Sequence, residues 1–100
     1  MVRYALLARL QAKPGKEATV EKFLTDALAL ANAESATPVW FAWRIGQSTF
    51  GIFDAFATDA ARDAHLAGPI AAALMKNAPD LLSGPPVIEK LAVLAAKLPG

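Results

Sequence analysis

The sequence predicts one α+β domain with a ferredoxin-like split βαβ arrangement, in which helices cover one face of an antiparallel sheet. The first observation is periodicity, which alternates between strand and helix repeats in the order β-α-β-β-α-α-β. The second is length, since 100 residues (1–100) leave room for a single domain only. The third is composition, because 55% hydrophobic and 19% charged residues are more apolar than a small solitary domain needs. The apolar surplus predicts a subunit interface, and therefore a homodimer.

The N-terminal third is predicted to form a strand and then a helix. Apolar side chains alternate with polar ones from Val2 to Ala12, and Pro14-Gly15 ends this strand. From Lys16 to about Ala33 the apolar residues follow helical spacing and form one stripe.

A β-hairpin is predicted next, with strands from about Pro38 to Ile45 and Ser48 to Ala57, joined by a two-residue turn at Gly46-Gln47. In this register Trp43 lies opposite Phe50. A three-residue loop would instead move the side chains of one strand to the other face. The expected register puts seven side chains on one face: Val39, Phe41, Trp43, Phe50, Ile52, Asp54 and Phe56.

The C-terminal third is predicted to contain two helices and a strand. Thr58 or Asp59 caps a short helix that runs to about residue 67. Gly68-Pro69 breaks that helix and starts the next, Ile70 to Ala78. The last strand, Val87 to Ala96, is apolar on both faces for most of its length, which is typical of a strand covered on both sides.

Composition excludes several classes of function. Ten Lys/Arg against nine Asp/Glu are scattered without a basic patch, so we expect no nucleic-acid partner. The longest uncharged stretch, Leu66 to Met75, is too short to cross a membrane, and no secretory signal is expected in Met1 to Leu10. The absence of cysteine fits a cytoplasmic protein. With no cysteine, one histidine and no phosphate-binding or dinucleotide motif, we expect no metal and no cofactor.

Three stretches carry a resemblance to a known family. They are Ala12 to Glu17 leading into the first helix, the hairpin Pro38 to Phe56, and Asp59 to Leu66 followed by Gly68-Pro69. In their order and spacing, the chain resembles the antibiotic biosynthesis monooxygenase family. This resemblance implies a dimeric α+β barrel with a pocket between sheet and helices in each subunit. It also implies one of three activities: cofactor-independent oxygenation of dihydroxy-aromatic or anthrone-like substrates, haem degradation, or isomerisation of small phosphorylated ketones.

Departures from the family pattern make one of these three activities less favoured than the others. Haem-degrading relatives use an asparagine on the first strand, and Val2 to Ala12 contains none. Ile70 stands where many relatives have a second histidine, and Phe56 stands where many have tryptophan. Haem degradation is therefore disfavoured, whereas the acidic residue of the third strand is retained as Asp54.

Asp54 and His65 are the candidate catalytic residues. A carboxylate on a covered sheet face loses hydration, which favours its taking a proton from a phenol-like substrate. The alternative is that Asp54 caps the following helix or pairs with Arg62. His65 belongs to the family motif and could move a proton or bind a substrate oxygen, whereas the alternative is a partly exposed residue favoured near a helix C-terminus.

Aromatic and aliphatic side chains of the hairpin are candidates for a substrate-binding wall, although aromatic residues at strand spacing more often pack in a core. The leading hypothesis is a cofactor-independent monooxygenase of a small electron-rich aromatic, quinol-like or anthrone-like. The alternative is a non-catalytic dimeric module that binds a small molecule on the same fold, and an isomerase would need Arg44 or Arg62 near the pocket. The candidate wall residues are Phe41, Trp43, Phe50, Ile52 and Phe56.

Overall fold

The sheet has four antiparallel strands in the order β2-β3-β1-β4, and this computed structural model describes residues 1–99. The arrangement confirms the predicted α+β, ferredoxin-like split βαβ fold, with the elements in the predicted order. The elements are β1 (Tyr4–Gln11), α1 (Glu17–Asn32), β2 (Val39–Ile45), β3 (Thr49–Phe56), α2 (Asp59–Leu66), α3 (Pro69–Leu81) and β4 (Val87–Ala92).

The main hydrophobic core lies between one face of the sheet and helices α1 and α3. Leu10 of β1 and Phe50 of β3 are fully buried in this layer. Val20 and Leu24 supply the α1 side, as the helical stripe predicts, and Leu74 supplies the α3 side. The opposite face of the sheet has no helix against it among residues 1–99, and we call it the open face.

The predicted hairpin register is wrong by one residue. Ile45 pairs with Thr49, so the loop is the three-residue Gly46-Gln47-Ser48 rather than a two-residue turn. Gly46 has a φ of 65°, a conformation that glycine adopts without strain. The Arg44 side chain holds the longer loop by donating hydrogen bonds to the carbonyl oxygens of Gly46 and Gln47, at 3.1 and 2.6 Å.

This register moves the side chains of β2 to the opposite faces from those expected. Phe41 and Trp43 lie on the open face, where Phe41 is 58% exposed, while Trp40 packs against the main core. Gly51 lies opposite Trp43, and a Cβ atom at Gly51 would come within 2.0 Å of the indole. The Trp43 ring therefore occupies the space in which a side chain at position 51 would lie.

Two C-terminal boundaries also differ from the predictions. Helix α3 continues through Pro79 to Leu81, because Lys13 holds its last turn with hydrogen bonds to the carbonyl oxygens of Pro79 and Leu81. Strand β4 ends at Ala92 rather than Ala96, because Ala92 lies opposite Tyr4, the first residue of β1. No helix within residues 1–99 is long and apolar enough to cross a membrane.

Candidate active site

Asp54 lies on β3 with its side chain on the helix-covered face of the sheet. Its neighbours in the flanking strands are Leu6 and Trp40, and its side chain is 3% exposed. The Oδ2 atom lies 2.9 Å from Nε2 of His65. The Oδ1 atom is buried and has no hydrogen-bond partner among residues 1–99, so its capacity to accept a hydrogen bond is unused.

His65 lies in the last turn of α2, which crosses the sheet above Asp54. Thr58 caps this helix by accepting a hydrogen bond from the backbone N–H of Ala61 at 3.1 Å. Arg62 fixes the helix to the sheet with hydrogen bonds to carbonyl oxygens of β1 and β4, and pairs with Asp59 at 3.0 Å. The alternative interpretation was that Asp54 caps α2 or pairs with Arg62. Thr58 caps α2 instead, and Arg62 pairs with Asp59, so Asp54 has neither role.

Glu34 is the residue that sequence reasoning missed. It lies just after α1, and its Oε1 atom is 2.7 Å from Nδ1 of His65. His65 is therefore held between two carboxylates, Glu34 at one ring nitrogen and Asp54 at the other. One local signal existed, because an acidic residue beyond a helix C-terminus is disfavoured by the helix dipole. We call Glu34, Asp54 and His65 the carboxylate–histidine cluster.

The two carboxylates keep His65 protonated. Burial, the largest single effect, lowers the pKa of His65, but hydrogen bonds to Asp54 and Glu34, followed by the charges of those groups, outweigh it. The net result raises the pKa from 6.5 to about 9. His65 is therefore an imidazolium cation at neutral pH, and the carboxylate–histidine cluster carries a net charge of about −1 when both acids are ionised.

A small cavity of about 30 Å³ lies against Asp54 and His65, between the sheet and helices α2 and α3. Its remaining lining is apolar, and the half-exposed Ile88 of β4 forms its outer edge. An apolar cavity that accepts benzene is about 150 Å³, so an aromatic ring enters only if this wall moves. The apolar lining residues are Leu6, Ala8, Ile52, Leu66, Ile70, Ala71, Leu74 and Ile88.

The structure brings some of the predicted site residues together and separates others. Ile52 lines the cavity beside Asp54 and His65. Phe56 packs its ring 5.3 Å from the imidazole, and Phe50 is buried deeper in the core on the same face. The two remaining wall candidates, Phe41 and Trp43, lie on the open face, away from the cavity, because of the hairpin register.

The cluster does not form a metal centre. Both nitrogens of the His65 ring already face carboxylate oxygens. Within residues 1–99 no group of three or more histidine, aspartate or glutamate side chains could hold a metal ion. The arrangement suits proton transfer, because a buried carboxylate with one free oxygen lies beside a cation at the end of an apolar cavity.

Comparison with solved structures shows where this fold occurs. NE2512, a protein of unknown function from Nitrosomonas europaea, is 63% identical, with a TM-score of 0.97 over 100% of this chain and 97% of the other. A putative antibiotic biosynthesis monooxygenase from Caulobacter crescentus CB15 is 24% identical, with a TM-score of 0.80 over 94% and 92%. Rv0793 from Mycobacterium tuberculosis is 19% identical, with a TM-score of 0.83 over 94% and 97%.

The last two similarities confirm, for the single chain, the antibiotic biosynthesis monooxygenase-like α+β fold that the sequence resemblance implied. No protein-family model matches the chain, and no curated protein matches it in sequence.

Proposed function

Because the chain belongs to the same family as NE2512 and has an antibiotic biosynthesis monooxygenase-like fold, we propose that it is a cofactor-independent monooxygenase of a small electron-rich aromatic substrate. The proposed substrate is quinol-like or anthrone-like. The observation that carries this proposal is the buried, unpartnered Oδ1 atom of Asp54, a residue that lines an apolar cavity together with the His65 cation. Fold similarity alone would not assign a reaction.

In the proposed reaction Asp54 acts as the general base. Its Oδ1 atom accepts a proton from the acidic hydroxyl or ring carbon of the substrate, which leaves an electron-rich anion. The imidazolium of His65 lies next to the carboxylate that takes this proton and offsets the negative charge that develops in the cavity. The apolar walls exclude water, so the charge of the anion is not dispersed by solvation.

Dioxygen is the second substrate, and it supplies the oxidising power. For an anthrone-type methylene, the carbon anion transfers electrons to dioxygen and forms a C–O bond, which gives a peroxide. Asp54 gives its proton to the terminal peroxide oxygen. It then removes the second proton from the carbon as the carbonyl forms and the O–O bond breaks, and passes that proton to the departing hydroxide to give water. The balance is R₂CH₂ + O₂ → R₂C=O + H₂O, in which the carbon loses four electrons and dioxygen gains four.

Substrate entry requires the cavity to enlarge. The cavity edge at Ile88 belongs to β4, which has no further strand beside it within residues 1–99. Gly68-Pro69, at the junction of α2 and α3, is the other place where the wall of the cavity can change shape. We propose that the cavity opens at these two places, and that a single-ring substrate needs a smaller opening than a substrate with several rings.

A homodimer that closes the sheet into an α+β barrel is part of this proposal. The open face carries exposed or half-exposed Phe41, Trp43 and Phe53, and a second copy of the chain would cover these rings. Burial of aromatic side chains is the main source of affinity in such interfaces. The apolar excess of the composition supports the same arrangement.

Oxygen uptake tests the function directly. Wild-type protein is incubated with a panel of hydroquinones and anthrones, and oxygen consumption and product mass are measured. We expect one dioxygen consumed per product, and a rate at least about 100-fold lower in Asp54→Asn, which cannot accept the proton. Asp26→Asn is the matched control, because Asp26 is an exposed helix residue paired with Lys22.

Two outcomes contradict the proposed activity. The first is turnover that Asp54→Asn retains at the wild-type rate. The second is binding of the aromatics with no oxygen consumption, which indicates a non-catalytic small-molecule-binding module instead.

A further inference from the structure

We propose that Glu34 is the positioning residue of the candidate active site: it holds the His65 ring from the Nδ1 side, so that Nε2–H is directed to Oδ2 of Asp54 and Oδ1 stays free for substrate. This inference rests on the proposed function and names a residue that acts through His65 without touching the substrate.

The backbone around Glu34 fixes its carboxylate in place. Its N–H donates to the carbonyl of Ala31 at 3.1 Å, and its own carbonyl accepts from Thr37 N–H at 3.2 Å. The Thr37 hydroxyl also donates to Oε1 at 3.0 Å, the same oxygen that faces His65. The carboxylate is mostly buried, so it is oriented before any substrate arrives.

The chemistry of imidazole explains why the residue at position 34 is an acid. A neutral ring can donate a hydrogen bond from one nitrogen only, whereas the imidazolium donates from both. With carboxylate oxygens at 2.7 and 2.9 Å from the two nitrogens, only the protonated ring satisfies both contacts. Glu34 thus fixes the orientation of His65 and its charge together.

Other charged groups near α2 are occupied elsewhere. Arg62 pairs with Asp59, and Asp63 lies 3.5 Å from Lys90 of β4 at the surface. Within residues 1–99, the charged groups in direct contact with the imidazole are Asp54 from β3 and Glu34 from the segment after α1. Removal of the Glu34 charge therefore leaves Asp54 as the single ionised partner of the ring.

The test compares Glu34→Gln with Glu21→Gln. Glutamine keeps an oxygen that can accept the Nδ1 hydrogen bond but removes the charge. Glu21 is an exposed carboxylate on α1 that pairs with Arg44, so the control removes one charge away from the site. Because the chain has one histidine, NMR of the ring nitrogens reports His65 without ambiguity.

Two measurements are expected to change together in Glu34→Gln. The titration midpoint of His65 falls by at least about one pH unit, since a charged partner is lost. The kcat for oxygen uptake falls by about 10- to 100-fold with little change in KM, because the ring and Asp54 lose their alignment. Glu21→Gln retains the wild-type midpoint and kcat.

A second variant keeps the test decisive if Glu34→Gln does not fold. Thr37→Val removes the hydroxyl that orients Oε1 and leaves the charge, so we expect a smaller loss of kcat with a near wild-type midpoint. A folded Glu34→Gln with unchanged midpoint and kcat overturns the role of Glu34, and so does a fully wild-type Thr37→Val where Glu34→Gln is not folded. The NMR midpoint needs no turnover, so a wild-type protein without oxygenase activity refutes the proposed function separately.

Discussion

The imidazole of His65 and the carboxylate of Asp54 meet at 2.9 Å in a site where their side chains are 7% and 3% exposed. Burying either charge alone would be costly, and pairing the two charges offsets part of that cost. Glu34 satisfies the second nitrogen of His65. The pair therefore depends on a third residue 20 positions before Asp54, in the segment after α1.

The first prediction concerns stability against pH. The pKa of His65 is raised from 6.5 to about 9 in the folded protein. Since the folded state holds this proton more tightly, its contribution is complete below about pH 6.5 and is lost as pH rises through about 9. We expect the free energy of unfolding in urea to fall by roughly 3 kcal/mol across this window. His65→Gln should lack this fall, and a flat wild-type profile would contradict the assignment.

The second prediction tests the hairpin register through Gly51. A Cβ atom there would lie 2.0 Å from the Trp43 ring and 2.4 Å from the carbonyl oxygen of Ala8. We expect Gly51→Ala to destabilise the protein by at least about 2 kcal/mol, because backbone atoms cannot yield as a side chain can. Gly84→Ala is the control, since a Cβ at Gly84 meets no atom within 4 Å. Equal stability of the two variants would refute the observed register.

The third prediction concerns the cap that positions His65. Thr58→Ala removes the side-chain oxygen that accepts the Ala61 N–H, so we expect a loss of about 1 kcal/mol in the free energy of unfolding. Thr25→Ala, on the exposed surface of α1, should change stability little, because its hydroxyl bonds only to the carbonyl of Lys22 within the same helix. Thermal unfolding of both variants compares them, and an unaffected Thr58→Ala would show that the cap contributes nothing.

The sequence predicted the elements better than the contacts between them. The spacing of hydrophobic residues located every strand and helix, because each strand buries one face and each helix buries one stripe. The faces of β2 were inverted because one extra loop residue, Ser48, changes the parity of all the following pairs. Position in the sequence alone could not show Glu34 beside His65, since 31 residues and the α2 crossing separate them. Asp54 was placed correctly on the same face as Phe50 and Ile52, because successive side chains of one strand alternate between faces whatever the register of its partner.

The fourth prediction concerns the open face. If a second copy covers it, sedimentation of the wild type at micromolar concentration should give twice the 10.5 kDa chain mass. Phe41→Asp should give monomers, because it places a charge on the open face at a position that a second copy would bury. Leu28→Asp, an exposed position on α1, should leave the dimer intact. A folded, monomeric wild type would rule out the dimeric barrel.

The ¹⁵N NMR titration of the single histidine tests the carboxylate–histidine cluster most directly. The structure predicts that both ring nitrogens of wild-type His65 carry a proton at pH 7 and that the ring loses one with a midpoint of about 9. A neutral ring at pH 7, with a midpoint at or below the ordinary 6.5, would contradict a protonated His65 in the carboxylate–histidine cluster. It would also contradict the role proposed for the His65 cation in proton transfer.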